Sequence, residues 1–208
     1  MRVASRFSSA LCSAAVFGQA TLFQLPLHLF NRMALWLSPH FDYQGITIVD
    51  FRPETRDRFT SLVQEALAFI SEKDPNRYRR VLREIKLINH LPRVTGAQYF
   101  RPSRVCYIDE QVFQAAKSLH GNVGALACVL VHESVHGELF TRHVLETSRN
   151  RSRIEGLCNR EMARFARRAN FNIEGWVEES ATPPSYGQQL RFAFRRCLEM
   201  LRHDLFGR

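Results

Sequence analysis

Val123-Gly124-Ala125-Leu126-Ala127-Cys128-Val129-Leu130-Val131-His132-Glu133-Ser134-Val135-His136-Gly137-Glu138 is the stretch that decides the reading of this 208-residue chain. An apolar run this long, followed by polar residues that recur at helical spacing, predicts a central helix over 123–143, apolar in its first half. Histidines at i and i+4 share one helix face one turn apart, so His132 and His136 can turn their imidazole nitrogens towards one ion. Zinc, bound at about 2.0–2.1 Å from imidazole nitrogen, suits that spacing. Glu133, next to the first histidine, is placed to act as a general base on a water beside the ion. Ala127, Cys128, Val129 and Leu130 supply a dry wall that would restrain the ligands. The competing reading is a helix that merely carries two surface histidines and a glutamate, because the five-residue pattern alone is short.

The surroundings of this stretch favour a folded α+β domain. Ile46 to Val49 is β-branched and apolar and predicts a short strand ending at Asp50. Phe59, Leu62, Val63, Ala66, Leu67 and Ile70 fall on one face of an amphipathic helix over 53–71, with Pro53 at its start. Asp74-Pro75 breaks the chain before a shorter helix over 78–87, and residues 91–96 read as a turn. Arg104 to Ile108 predicts a strand just upstream of the central helix. A short helix is expected over 111–119, ending near Gly121, and another over 153–170 with Ile154, Leu157, Cys158, Met162 and Phe165 on its apolar face. After the Thr182-Pro183-Pro184-Ser185 break, a last amphipathic helix carries Phe194, Cys197, Leu198, Leu201 and Leu205. No internal repeat or low-complexity tract occurs.

A catalytic zinc takes a third protein ligand and keeps one open position. Eighteen residues lie between His136 and Glu155. In this the chain resembles the gluzincins, the thermolysin-like and aminopeptidase-N-like metallopeptidases, in which the HExxH motif is followed by a glutamate ligand on the next helix. The resemblance covers residues 123–165, about a fifth of the chain. It implies a small, helix-dominated zincin-like domain with a short β-sheet preceding the HExxH helix, Zn2+ as cofactor, and His132, His136 and Glu155 as ligands. It further implies Glu133 as the base and Asn159, four residues after Glu155, as a partner that braces His132 from outside the ligand set. For the oxyanion stabiliser that gluzincins place downstream, the chain offers Tyr186 and His203, and nothing in the sequence chooses between them. The Gly-x-Met-Glu-Asn segment with which such aminopeptidases hold a free amine is absent from the sequence. Internal cleavage of a peptide or protein substrate is therefore expected, along an exposed strand edge at Val105, Cys106 and Tyr107. The metzincin continuation fails, because Leu139 stands at its glycine position and His143 comes one residue late. Glu161 remains an alternative to Glu155, its other reading being a salt bridge to a neighbouring arginine, while Glu138 and Glu146 lie too near the motif to fold back.

Composition bounds the rest. Apolar residues at 45% and charged residues at 24% exclude a disordered chain, and the length allows one domain with a real core. Lysine and arginine outnumber aspartate and glutamate by 29 to 20, a formal charge of +9. The excess arginines of the last third would favour acidic partners weakly and in a salt-dependent manner, although they read first as solvated helix faces. No basic run interleaved with aromatics marks a groove for nucleic acid, so none is expected as partner. Five cysteines without a CxxC pair exclude a zinc ribbon or a thioredoxin-type motif and read as buried small hydrophobes. Residues 1–40 form a separate apolar segment. Its uncharged part, within residues 7–38 apart from Arg32, reads as an export signal, a membrane anchor or a flap on the catalytic domain over 41–208. Membrane-associated or exported localisation is expected, with cytoplasmic as the alternative. The alternative function is a basic membrane- or nucleic-acid-associated binding protein whose HExxH is degenerate or structural.

Overall fold

Strand burial sets the architecture. The structure is a computed structural model that describes residues 39–50, 52–90, 97–101, 103–109, 119–147 and 149–171, together with Leu35. Strands β1 (His40–Tyr43), β2 (Ile46–Asp50), β3 (Leu87–His90), β4 (Ala97–Phe100) and β5 (Val105–Ile108) form one sheet in the order β1-β2-β3-β5-β4. The three central strands run parallel, and β1 and β4 run antiparallel at the two edges. Every residue of β3 and β5 is buried, as expected of parallel strands covered on both faces. By contrast His40, Phe41 and Asp42 of β1 are exposed.

β1 and β2 meet in a two-residue turn at Gln44 and Gly45, both at positive φ (53° and 79°). That is the backbone of a type I′ hairpin, whose twist matches the strands it joins. Helix α1 (Pro53–Lys73) opens with proline where no backbone N–H is needed, and buries Phe59, Leu62, Val63, Ala66, Leu67 and Ile70. Burying each large member of that face contributes about 1.5–3 kcal/mol, so the stripe alone accounts for its docking. Asp74 then ends α1 and caps α2 (Pro75–Glu84) by accepting from the Arg77 N–H at 3.1 Å. Helix α3 (Leu119–Thr141) packs against α1, α2 and β4, and α4 (Arg151–Arg168) lies against α3. The fold is therefore mixed α+β and helix-dominated, with all five strands preceding α3. Apart from Leu35 the described residues belong to one compact unit, Ser38–Pro183.

Several expectations need correction. The second helix starts at the Asp74 cap and ends at Glu84, and residues 87–90 form β3 instead of a helical end. Gly121 does not end a preceding helix, because α3 runs through it from Leu119. β5 is no exposed edge: it lies between β3 and β4, and Val105, Cys106 and Tyr107 are buried. Among the described residues, the sheet edge on the α3 side belongs to β4. Asn122–Thr141 is apolar and long enough by composition to cross a membrane, but it is mostly buried as the core helix. The N-terminal apolar segment, the helix expected over 111–119 (apart from Leu119), the turn at 91–96 and the last amphipathic helix lie outside the described residues.

Candidate metal centre

α3 is fixed along its length before it presents the histidines. Arg80 of α2 donates from Nε to Ser134 Oγ at 3.0 Å, and Ser134 donates to the Val131 carbonyl at 2.7 Å. Glu138 is drawn towards α2 by Arg80 at 3.4 Å and also meets Arg142 at 2.6 Å. Gly137 permits a close approach to α2 and β4. A Cβ there would lie 2.7 Å from the Glu84 Cβ and 2.9 Å from the Tyr99 hydroxyl oxygen, distances that side chains do not adopt. Tyr99 donates to the Glu84 carbonyl at 2.8 Å and Thr141 donates to the Glu84 carboxylate at 2.9 Å, which ties β4 and α3 to the end of α2.

On this scaffold His132 and His136 stand one turn apart, with ring centroids 5.1 Å apart and Nε2 atoms 3.2 Å apart. Glu155 of α4 enters from across the helix pair. Its Oε2 lies 3.4 Å from His132 Nε2 and its Oε1 lies 3.7 Å from His136 Nε2. Two nitrogens bound to one tetrahedral ion at about 2.0–2.1 Å are about 3.3 Å apart, so the donor set fits zinc in both chemistry and spacing. The electrostatics agree. The His132 and His136 imidazoles beside Glu155 hold its carboxyl far below the usual range, against a burial cost. Burial opposes the charged form of His136, but the side chains of Cys158 and Glu155 and the charge of Glu133 outweigh it and raise that imidazole well above its ordinary value. Both shifts favour positive charge on His136 and negative charge on Glu155.

Glu133 is buried, and its charge acts on His136, Cys158 and Cys106. The rival carboxylates are engaged elsewhere. Glu161 pairs with Arg77 at 3.0 Å, Arg80 at 3.5 Å and Arg164 at 2.7 Å, and Glu146 pairs with Arg101 and Arg151. His143 takes a left-handed conformation (φ 59°) at the end of α3, where its N–H bonds to the Phe140 carbonyl, so it serves as a terminator. Asn159 is half-buried on α4, and among the described residues no hydrogen bond joins it to His132. Tyr186 and His203 lie outside the described residues. Arginines of the last third are partly spent in ion pairs, Arg164 with Glu161, Arg151 with Glu146 and Arg168 with Asp74.

Two residues escaped sequence reading. Gly137 stands just after the motif and was given no role. Cys158 looked like one of several buried hydrophobes, yet one ligand atom each from His132, His136 and Cys158 lie within 4.8 Å of one another. Its spacing of three from Glu155 was the available signal, since it puts both on one face of α4. Compared with known protein families, characterised proteins and solved structures, the chain finds no match.

Proposed function

We propose that this chain is a zinc-dependent peptidase of the gluzincin type that cleaves within peptides. The observation that carries the reading is the convergence of His132 and His136 from α3 with Glu155 from α4, donors separated by 3.2 to 3.7 Å. These residues would hold the ion, which when bound supplies a Lewis acid and lowers the pKa of water. Glu133 takes the proton of the water that attacks the peptide carbonyl and returns it to the departing nitrogen. Its burial favours that role by keeping the carboxylate away from bulk water. The substrate's extended backbone would add to β4, the edge strand among the described residues, which packs beside α3, in place of the interior β5.

Hydrolysis of an internally quenched peptide library by the full chain tests the reading. Cleavage at internal bonds that chelation abolishes and zinc restores is expected. Zinc binding without hydrolysis in any assay, equal in the protein and in a Glu133→Gln variant, would instead identify a structural metal site in a binding protein.

A further inference from the structure

The two cysteines of the core strand and helix differ from Cys158 in what surrounds them. Cys106 and Cys128 are fully buried in the main hydrophobic cluster, and burial pushes the Cys128 thiol up to about 12. Cys158 is equally buried, but it sits beside polar ligand groups, in a small separate cluster with Val135 and Ile154 flanked by Leu139. Its Sγ joins donor atoms of His132 and His136 in a triad no more than 4.8 Å across. α4 carries Cys158 three residues after Glu155, so both side chains leave the same helix face towards α3. Exposure separates them: the Glu155 side chain is 35% exposed, whereas Cys158 has no solvent contact.

We propose that the Cys158 thiol is a ligand to the same ion as His132 and His136, making a two-histidine, one-thiolate centre with Glu155 on its solvent side. The inference rests on the zinc-peptidase reading above and deepens it. On binding, the S–H bond breaks, its proton passes to solvent, and the sulfur lone pair enters the metal bond without oxidation or reduction. Two neutral imidazoles and one thiolate leave a fourth position of the divalent ion open to water, and the adjoining carboxylates of Glu155 and Glu133 offset the charge that remains in a centre walled by Val135, Ile154 and Leu139. A thiolate donor also sets selectivity. Zinc, cobalt and cadmium are retained, whereas magnesium, calcium and manganese, which prefer oxygen donors, are not.

Cobalt titration of the full-length chain separates this inference from the reading beneath it. The wild-type protein is expected to bind one cobalt per chain, with visible d–d bands and an intense near-ultraviolet sulfur-to-cobalt charge-transfer band. Cys158→Ser is expected to keep the d–d bands, lose the charge-transfer band and weaken zinc affinity by at least about 100-fold, the upper end of what outer-shell partners cost. A second variant guards against misfolding at this buried position: with Cys12, Cys106, Cys128 and Cys197 all replaced by alanine, the sulfur band remains. Bound cobalt without a sulfur band in the wild type, or a band that survives Cys158→Ser, overturns the thiolate ligand and leaves the histidine–glutamate site standing. Failure of the wild type to bind either cobalt or zinc overturns both.

Discussion

His90 and His136 are both buried histidines beside a carboxylate, one at the end of the central strands and the other on α3, and their surroundings differ in kind. His90 meets Asp50 at 2.7 Å, stacks on Phe59 with centroids 4.5 Å apart, and has the Arg52 guanidinium 2.9 Å from its ring. Asp50 in turn accepts from the Thr55 hydroxyl at 2.6 Å and the Arg52 backbone N–H at 3.0 Å. The His90–Asp50 pair is thus bonded to itself and to Arg52 and Thr55, and the cluster joins paired strand ends, Asp50 opposite His90, to the first turn of α1. At the helix site, two imidazole nitrogens face each other at 3.2 Å with a carboxylate against both. That arrangement is the one the proposed ion would complete. A buried histidine–carboxylate pair reads as structure when its hydrogen-bond demand is met internally, and as a site when donors converge on a common point.

The largest effect should come from Glu133, which belongs to the second kind of cluster. Glu133→Gln is expected to lower peptide hydrolysis about 10²–10⁴-fold with zinc content unchanged, as read by turnover and elemental analysis. His90→Ala should do the reverse. It removes a bonding partner of buried Asp50 and is expected to cost about 1–3 kcal/mol of stability in denaturant unfolding, with zinc affinity unaltered. Loss of zinc in that variant while the fold stays intact would erase the distinction drawn between the two clusters. Gly137→Ala joins both readouts. The added methyl would meet Glu84 and Tyr99, so a loss of about 1–3 kcal/mol is expected together with weaker zinc binding, because His136 is the adjacent residue.

The smallest effect concerns acid. Burial raises the Asp50 carboxyl, but the bonds from His90, Thr55 and the Arg52 N–H outweigh it and hold the folded value below the ordinary 3.8. The unfolded chain therefore takes up this proton at a higher pH than the folded one. The stabilisation is full above the unfolded value and disappears as pH falls through the folded value. In unfolding midpoints followed from neutral pH downward, Asp50→Asn should flatten the acid limb of the curve. An unchanged slope below pH 3.8 would assign acid lability to other carboxylates, with Asp74, also held low, the next to examine.

What the sequence made legible followed from periodicity. All six buried positions of α1 were read from their spacing, because an amphipathic helix records its burial in a 3.6-residue pattern. β1 left no such record: its residues are mostly exposed, and its turn is Gln44-Gly45 instead of the more telling Asn-Gly. β3 was hidden for the opposite reason, since Asn89 and His90 are buried polar residues in a strand covered on both faces. The interior position of β5 depends on long-range pairing with β3 and β4, which no local pattern encodes. At the site, the i, i+4 histidines were legible because both lie on one helix. Glu155 came from a family spacing, and Cys158 stayed unread because its relation to the histidines crosses between helices.

Zinc binding by the full chain decides whether α3 carries a metal centre. Titration of metal-free protein, with far-ultraviolet circular dichroism to monitor the fold, should give one zinc per wild-type chain and none in a His132→Ala, His136→Ala double variant of unchanged helicity. Equal zinc uptake by both proteins, or none by the wild type, would contradict the assignment of a metal centre to α3.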